Sequence, residues 1–394
     1  MRVLFLTHRV PFPPDKGDRI RTYHLLRQMV QHGEVWLGCL ADEPVPPETL
    51  AALNSLCARV AIVPVGRWTR WAKAAWKLAK GRSLSEGLFA SRELTHVLRK
   101  WAKEASFTTV VASSSALAPY LRDRALAGIP AVVDLIDVDS QKWSDFAAAS
   151  RPPKKWLYQL EAARVRKLEK WLAGWVRAAS VVSRAEADVY DSFTHVGAAT
   201  IATNGVDLEY FAPVDCEAQP ALAFVGALDY LPNEDAAVWF SREVWPAIRA
   251  KFPTAEFRII GRNPSPAVRS LTDIPGVNLV GQVPDVRPFV CSAAVVVVPL
   301  RLARGVQNKV LEAMAMAKAV VAAPASLVAL QTVPGMHLLS ASTPQEWIEA
   351  VCELLADPGR CEQLGRAARK YVEEHHHWER CLQPLLRAIF PASP

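Results

Sequence analysis

The stretch from Arg301 to Glu312 gathers the side chains best suited to chemistry. Arg301, Arg304 and Lys309 supply positive charge around Gly305, and Glu312 follows within an apolar run. The segment lies between a strand-like run ending at Pro299 and another at Val320, so it reads as strand, glycine-bearing loop and helix. That order suits an anion. Ligands of open parallel sheets bind at the carboxyl ends of strands, where a helix N-terminus offers free N–H groups and a positive dipole end to a diphosphate. Arg301, Arg304, Gly305, Val306, Gln307, Asn308 and Lys309 are the residues positioned to use it. Glu312 is the odd member, because Val310 to Ala317 is otherwise apolar, the pattern of a buried helix. Burying even a neutral polar group without a partner costs roughly 2–7 kcal/mol. Two partners are open: the adjacent hydroxyls of a ribose, or an internal ion pair with Lys309 or Arg304.

The elements that must hold this segment follow from periodicity. Val3–Thr7, Val35–Leu40, Val60–Val63, Val110–Ala112, Ala131–Leu135 and Val181–Ser183 read as strands, with amphipathic helical patterns between them. A polar, proline-containing segment, Pro213–Pro220, interrupts the series. A second series follows: Leu222–Val225, Phe257–Ile260, Val277–Val280, Val295–Val298, Val320–Ala322 and His337–Leu339. Alternation of this kind implies α/β architecture with two parallel sheets, that is, two Rossmann-like domains. We expect domains at 1–205 and 206–377, with a final helix in 378–394 crossing back to the first.

With these elements in place, the sequence resembles the retaining glycosyltransferase family 4, group 1 glycosyltransferases of the GT-B fold. The family signature is a pair of glutamates with seven residues between them, ahead of an apolar strand. Glu312 matches the second, which the resemblance assigns to the nucleotide ribose, and Ala319–Ala322 matches the strand. Arg304 stands where the first glutamate, a donor-sugar contact, would be. The run Phe224 to Asn233 is similar to the opening strand and loop of the family's donor domain. Gly226 lets the backbone approach the diphosphate there. Family members carry cations in this loop, whereas Ala227–Asn233 has none, and Arg262 and Arg304 are the expected substitutes. Asn233 reads as a helix N-cap.

In the first half, Pro11–His24 and Asp134–Trp143 resemble the sugar transferases of bacterial PEP-CTERM/exosortase exopolysaccharide systems. By that resemblance Gly17 lines the cleft near the diphosphate. Asp18 is a candidate N-cap, and Lys16 and Arg19 are acceptor contacts or solvated charges; Arg21 reads as solvated. Asp137 falls at a strand end where relatives have a cleft histidine. Asp134 and Asp139 crowd it with like charge, which raises its pKa. It contacts the reacting sugar or acceptor, or else caps the helix from Ser140. Asp137-Val138-Asp139 also spells a DxD metal pattern, but a two-domain GT-B arrangement replaces the metal with cations and a helix end, so no metal and no cofactor are expected. His375-His376-His377 cannot converge on one ion, since neighbours on a helix point about 100° apart, and reads as surface.

The resemblance implies a two-domain GT-B enzyme, its sheets facing across a cleft. It implies transfer of a sugar with retention from a nucleoside-diphosphate sugar to a lipid-linked or saccharide hydroxyl. Asp137, Arg262 and Lys309 would act in catalysis. The rivals are a GT-B-fold sugar-nucleotide epimerase and a non-catalytic nucleotide- or carbohydrate-binding relative. A nicotinamide dehydrogenase is disfavoured, as no G-x-G-x-x-G follows either opening strand.

Charge adds a partner. Residues 1–200 hold 29 basic and 19 acidic residues, against 17 and 20 thereafter, so the excess of the +7 chain lies in the first half. Within it, Arg67–Arg82 carries Arg70, Lys73, Lys77 and Lys80 on one helical face and Trp68, Trp71, Ala75 and Leu78 on another. Lys154–Arg177 adds Trp156, Trp171 and Trp175. Such segments lie on anionic membrane surfaces; alternatively the tryptophans are core and the charges solvated. No nucleic-acid motif is present. No apolar run reaches the roughly 18 residues of a membrane span. Seven scattered cysteines without a C-x-x-C pair argue against disulfides and zinc. The expected location is the cytoplasm, with peripheral contact at the inner membrane.

Overall fold

Parallel strands build two sheets in the computed structural model, which describes residues 1–15, 17–195 and 197–391. Lys16, named above, lies outside the described residues. The first sheet comprises β1 (Arg2–Thr7), β2 (Glu34–Ala41), β3 (Arg59–Pro64), β4 (Thr109–Ser113), β5 (Ala131–Ile136), β6 (Ala178–Val181) and β7 (Thr200–Ile201). Their spatial order is β3-β2-β1-β4-β5-β6-β7. The second sheet comprises β8 (Gln219–Val225), β9 (Glu256–Ile260), β10 (Val277–Gly281), β11 (Ala293–Val298), β12 (Ala319–Ala322) and β13 (Leu339–Ser340), ordered β10-β9-β8-β11-β12-β13. Central strands are buried along nearly their whole length, as in β4 and β11, because helices cover both faces; that is why they read as continuous apolar runs. Chain contacts divide into two units, Met1–Thr203 with the chain from Leu382, and Asn204–Cys381. Each has its own apolar core.

Departures from the periodicity reading are local. β6 ends at Val181, and Ser183 instead caps the helix Arg184–Thr194 by accepting the Glu186 N–H. β7 is too short to leave a pattern. The helix Trp378–Ile389 starts in the second unit and ends in the first, where Thr109 and Arg177 donate to the Ile389 and Ala388 carbonyls at 2.9 and 2.6 Å.

Polar groups inside the first unit are organised by charge. Arg21 is not solvated: it is 0% exposed and donates Nε and Nη2 to the two Asp134 carboxylate oxygens at 2.7 and 2.8 Å. Ser180 donates to the same carboxylate at 2.8 Å, and Arg21 Nη1 reaches the Thr203 carbonyl at 3.2 Å. The helix Gly17–His32 turns this arginine toward the sheet, and only a carboxylate on β5 makes its burial tolerable. The charge of Asp134 is thereby balanced and does not bear on Asp137 as an unpaired neighbour. Three further buried carboxylates accept N–H groups at helix starts. Glu161 takes Leu84 and Ser85 at 2.6 and 3.0 Å, Glu186 takes Val138 at 2.7 Å and Glu169 takes Ser140 at 3.1 Å. Burial pushes the Glu169 carboxyl up to about 8.

One disulfide, Cys216–Cys291, corrects the reading of the cysteines. The partners are 75 residues apart in sequence, so no local spacing announces them. The aperiodic segment after Phe211 runs back beside the helix Arg287–Ser292 and brings their Cα atoms to 6.3 Å. The other five cysteines form no disulfide.

Replacing Asp134 by alanine strands the Arg21 charge in the core and should lower the unfolding free energy in a denaturant titration by about 3–5 kcal/mol. The double change Arg21→Met, Asp134→Leu should recover most of that loss; equal destabilisation by both variants would show that the ion pair is not the cause.

Candidate functional site

The order of the second sheet reverses between β8 and β11, the position at which open α/β sheets bind ligands. The loop after β8 begins with Gly226, and the loop after β11 leads into the helix Asn308–Ala315. Two glycines make the close approach possible. A Cβ at Gly261, whose φ is +157°, would lie 1.7 Å from the Gly226 carbonyl oxygen. A Cβ at Gly226 would lie 2.8 Å from both the Asn233 amide and the Lys309 Nζ. Lys309 uses the space so left, donating to Asn233 Oδ1 at 2.6 Å, while Asn233 Nδ2 donates to the Ala227 carbonyl at 2.9 Å. The Lys309 ammonium also sits 4.7 Å above the Phe224 ring. Asn233 is therefore not an N-cap: Tyr230 holds that position in the helix Leu231–Trp239, and Asn233 is a buried bridge between loop and lysine.

Glu312 lies one turn on from Lys309. Its carboxylate has no hydrogen bond and no ion pair within 4.0 Å among the described residues, so the internal ion pair left open by the sequence does not form. The reason is geometric, since Lys309 extends toward Asn233 instead. Both side chains are half-buried beside a void of about 10 Å³ walled by Phe211, Val225, Val286 and Val290. Burial pushes the Glu312 carboxyl up to about 7, opposed by the nearby Lys309 charge. Burial pulls Lys309 down to about 7, opposed by Glu312.

The loop itself is bent by Gly305, buried with φ +61°. Gln307 occupies the N-cap position and donates Nε2 to the Arg304 carbonyl at 2.8 Å. Asn308 Oδ1 accepts from Asn204 Nδ2 at 2.9 Å, and Val306 packs on the core. Arg304 is half-buried. Arg301 departs from the expected cluster: it forms a two-pronged pair with Asp235 at 3.0 and 2.5 Å and lies 5.5 Å from the Trp239 ring, on the flank of the neighbouring helix. A carboxylate within reach on that helix satisfies it. Arg262 follows β9, and its carbonyl accepts the Leu228 N–H at 2.9 Å, which fixes it against the Gly226 loop. Its guanidinium has no hydrogen bond or ion pair among the described residues.

In the first unit, Gly17 opens the helix Gly17–His32 and is exposed. Asp18 lies inside the first turn of that helix and serves as an ion-pair anchor, not as the N-cap expected from the sequence. It takes His8 Nε2 at 3.2 Å and Arg9 Nη1 at 3.0 Å, and those partners, outweighing burial, hold its carboxyl well below the usual range. Asp137 follows β5 directly after Ile136, which has φ +68°. It does not cap the helix Asp139–Ala148, which has no side-chain N-cap; Glu186 and Glu169 occupy the amides there. Asp139 is engaged by Lys142 at 2.5 Å and Ser115 at 2.9 Å. His376 is buried, with Nδ1 2.8 Å from the Asn204 carbonyl, so the histidine run is not all surface. Sequence reasoning missed the Asn233 bridge; its only signal was an amide within an otherwise ordinary first helical turn.

Residues 219–357 match the family model described as glycosyl transferases group 1, a span of less than half the chain that holds Gly226, Arg262, Lys309 and Glu312. No curated protein matches. Solved structures match end to end at low identity. Sucrose-phosphate synthase from Thermosynechococcus elongatus is 17% identical with a TM-score of 0.73, each chain covered in full. HepE of Anabaena in complex with UDP is 13% identical with a TM-score of 0.69, over 99% of both chains. WaaG, a glycosyltransferase involved in lipopolysaccharide biosynthesis, is 14% identical with a TM-score of 0.66, over 99% of this chain and 100% of its own. With that domain in residues 219–357 and sheets of this order, the chain is a glycosyltransferase of the GT-B fold.

Proposed function

We propose that the chain transfers a sugar, with retention, from a nucleoside-diphosphate sugar to a hydroxyl of a lipid-linked or saccharide acceptor, as a family 4 enzyme of bacterial cell-surface or exopolysaccharide synthesis. The observation that carries the donor reading is the pair Lys309 and Glu312: a cation fixed by Asn233 and a carboxylate without a protein partner, one helical turn apart at the switch point. A nucleoside diphosphate supplies what each lacks. Its ribose offers two hydroxyl donors to Glu312, and its phosphates offer charge to Lys309, to Arg262 and to the amides of the Gly305–Asn308 loop. The similar structures include HepE with UDP-glucose and a TarM variant with UDP, which makes UDP the first nucleotide to test.

In the reaction the bond from the anomeric carbon to the diphosphate breaks and a bond to the acceptor oxygen forms. The acceptor's proton leaves, taken up by the departing diphosphate or by water. Negative charge grows on the leaving group, and Lys309 with Arg262 stabilises it, the electrostatic contribution that usually dominates. This assignment needs no metal. Asp137 is assigned to the reacting sugar or acceptor. Arg304 replaces the first signature glutamate, so loop amides take over part of the sugar contact. An epimerase would release nucleotide from the donor without an acceptor, and that turnover separates the two readings.

Calorimetry with UDP and GDP tests the donor site. Glu312→Ala should weaken nucleotide binding by roughly 10- to 100-fold, the loss of a charge-assisted pair of bonds; unchanged affinity would sink the ribose assignment.

The pH dependence has a definite sign. Free Lys309 loses its proton above about 7, whereas a bound diphosphate holds it charged. Nucleotide binding at pH 8 should therefore take up a proton, visible as a heat that varies with the buffer's ionisation enthalpy. Lys309→Met should abolish that uptake. Buffer-independent heats in the wild type would contradict the role given to the lysine.

A further inference from the structure

The helix Arg67–Ala79 presents an unusual outward face. Trp68 is 84% exposed, Trp71 53% and Trp76 59%, so these tryptophans are not core. At 100° per residue, Trp71, Ala75, Trp68, Ala72 and Trp76 follow one another around an arc of roughly 140°, and all five are exposed. Ala74 faces inward, with its backbone so close to Gly87 that a Cβ there would lie 2.4 Å away. Lys73, Lys77 and Lys80 border the arc on its other side. Lys77 and Lys80 lie 5.8 and 5.6 Å from the Trp76 ring and have no carboxylate within 4.0 Å among the described residues. Residues 66–82 contain six arginines and lysines and no acid.

A second helix extends the face. In Lys154–Ala173, Trp156 is 64% exposed, and Leu157 and Leu160 are exposed beside it. Arg164, one turn beyond Leu160, donates to the Leu78 and Arg82 carbonyls at 2.7 and 2.9 Å, at the end of the first helix next to Trp76 and Lys80. Glu161 holds the Leu84 and Ser85 amides just beyond. This joint ties the end of the first helix to the second. Between Arg151 and Leu160 the only charges are positive, and the first acid, Glu161, is buried. The far end of the second helix is excluded, because Trp171 and Trp175 stack on each other at 5.3 Å and Arg122 covers Trp171.

We propose that this Trp-rich, lysine-bordered surface docks the first unit on an anionic lipid bilayer. Tryptophans standing clear of the surface, with cations beside rather than beneath them, fit the interfacial layer of a bilayer, where the rings enter the headgroup region and lysines meet lipid phosphates. A folded protein partner would more often bury such rings in a pocket-matched core with charges depleted around them. The inference does not depend on the donor reading, since every residue it uses lies in the first unit and every donor residue tested lies in the second.

The test is flotation of the full chain with vesicles of phosphatidylcholine alone and of phosphatidylcholine mixed with the anionic phosphatidylglycerol, whose negative surface potential attracts lysines. The wild type should float with the second and stay behind with the first, and raising salt should release it. Trp68→Ala/Trp71→Ala/Trp76→Ala should abolish flotation, while Lys77→Gln/Lys80→Gln should reduce partitioning roughly 30-fold, about 1 kcal/mol for each cation. Far-UV circular dichroism and the thermal unfolding transition should be unchanged in both variants, which shows them folded by a readout that does not involve the donor site. Equal binding to both vesicle types, no binding to either, or unaltered flotation of the tryptophan variant would overturn the proposal. So would a tryptophan-dependent dimer that binds no vesicles, or preferential binding to duplex nucleic acid.

Discussion

Lys309 and Glu312 share one turn of a mostly apolar helix and yet do not neutralise each other, and the second unit is arranged around keeping them apart. Paired directly, they would satisfy the helix and leave the strand ends inert. Drawn across to Asn233, the ammonium stands at the end of β8, and the carboxylate one turn below is left with unmet capacity. The expense is desolvation, which depresses the lysine's basicity and raises the glutamate's. Such opposed shifts at a strand-end switch point mark function more often than stability.

The first unit handles charge in the opposite way. Arg21 and Asp134 meet each other fully, and Glu161, Glu169 and Glu186 each accept a backbone N–H at a helix start. Those helix ends are closed by protein carboxylates and so are not available to a phosphate in the way the Gln307 end is.

Much of this was legible in the residues. The strands of both sheets stand out because parallel strands buried on both faces are uninterrupted apolar runs, and Glu312 stands out because it breaks one. The direction of long side chains was not legible. Arg21 sits in a basic, polar loop-helix segment and looks solvated, yet its partner is more than a hundred residues away on β5. Arg301 looks like a member of the cation cluster, yet Asp235 takes it to the other flank. Asn233 has a good N-cap composition but falls three residues too late. Cys216 and Cys291 have no local relationship at all. Apart from the misplaced cap, each miss concerns a partner distant in sequence, for which spacing carries no information.

The approach of Gly226 to Gly261 constrains the two positions unequally. At 261 the obstacle to any side chain is a backbone carbonyl, which no replacement elsewhere removes. At 226 the obstacles are the Asn233 amide and the Lys309 ammonium, both ends of side chains that can be exchanged. A side chain at 226 can therefore be admitted by moving or shortening 233 or 309, which disturbs the bond between them, whereas residue 261 has no such route. Among descendants of this chain, a non-glycine at 226 would accordingly be the mark of a lineage that had rebuilt the bridge between Asn233 and Lys309.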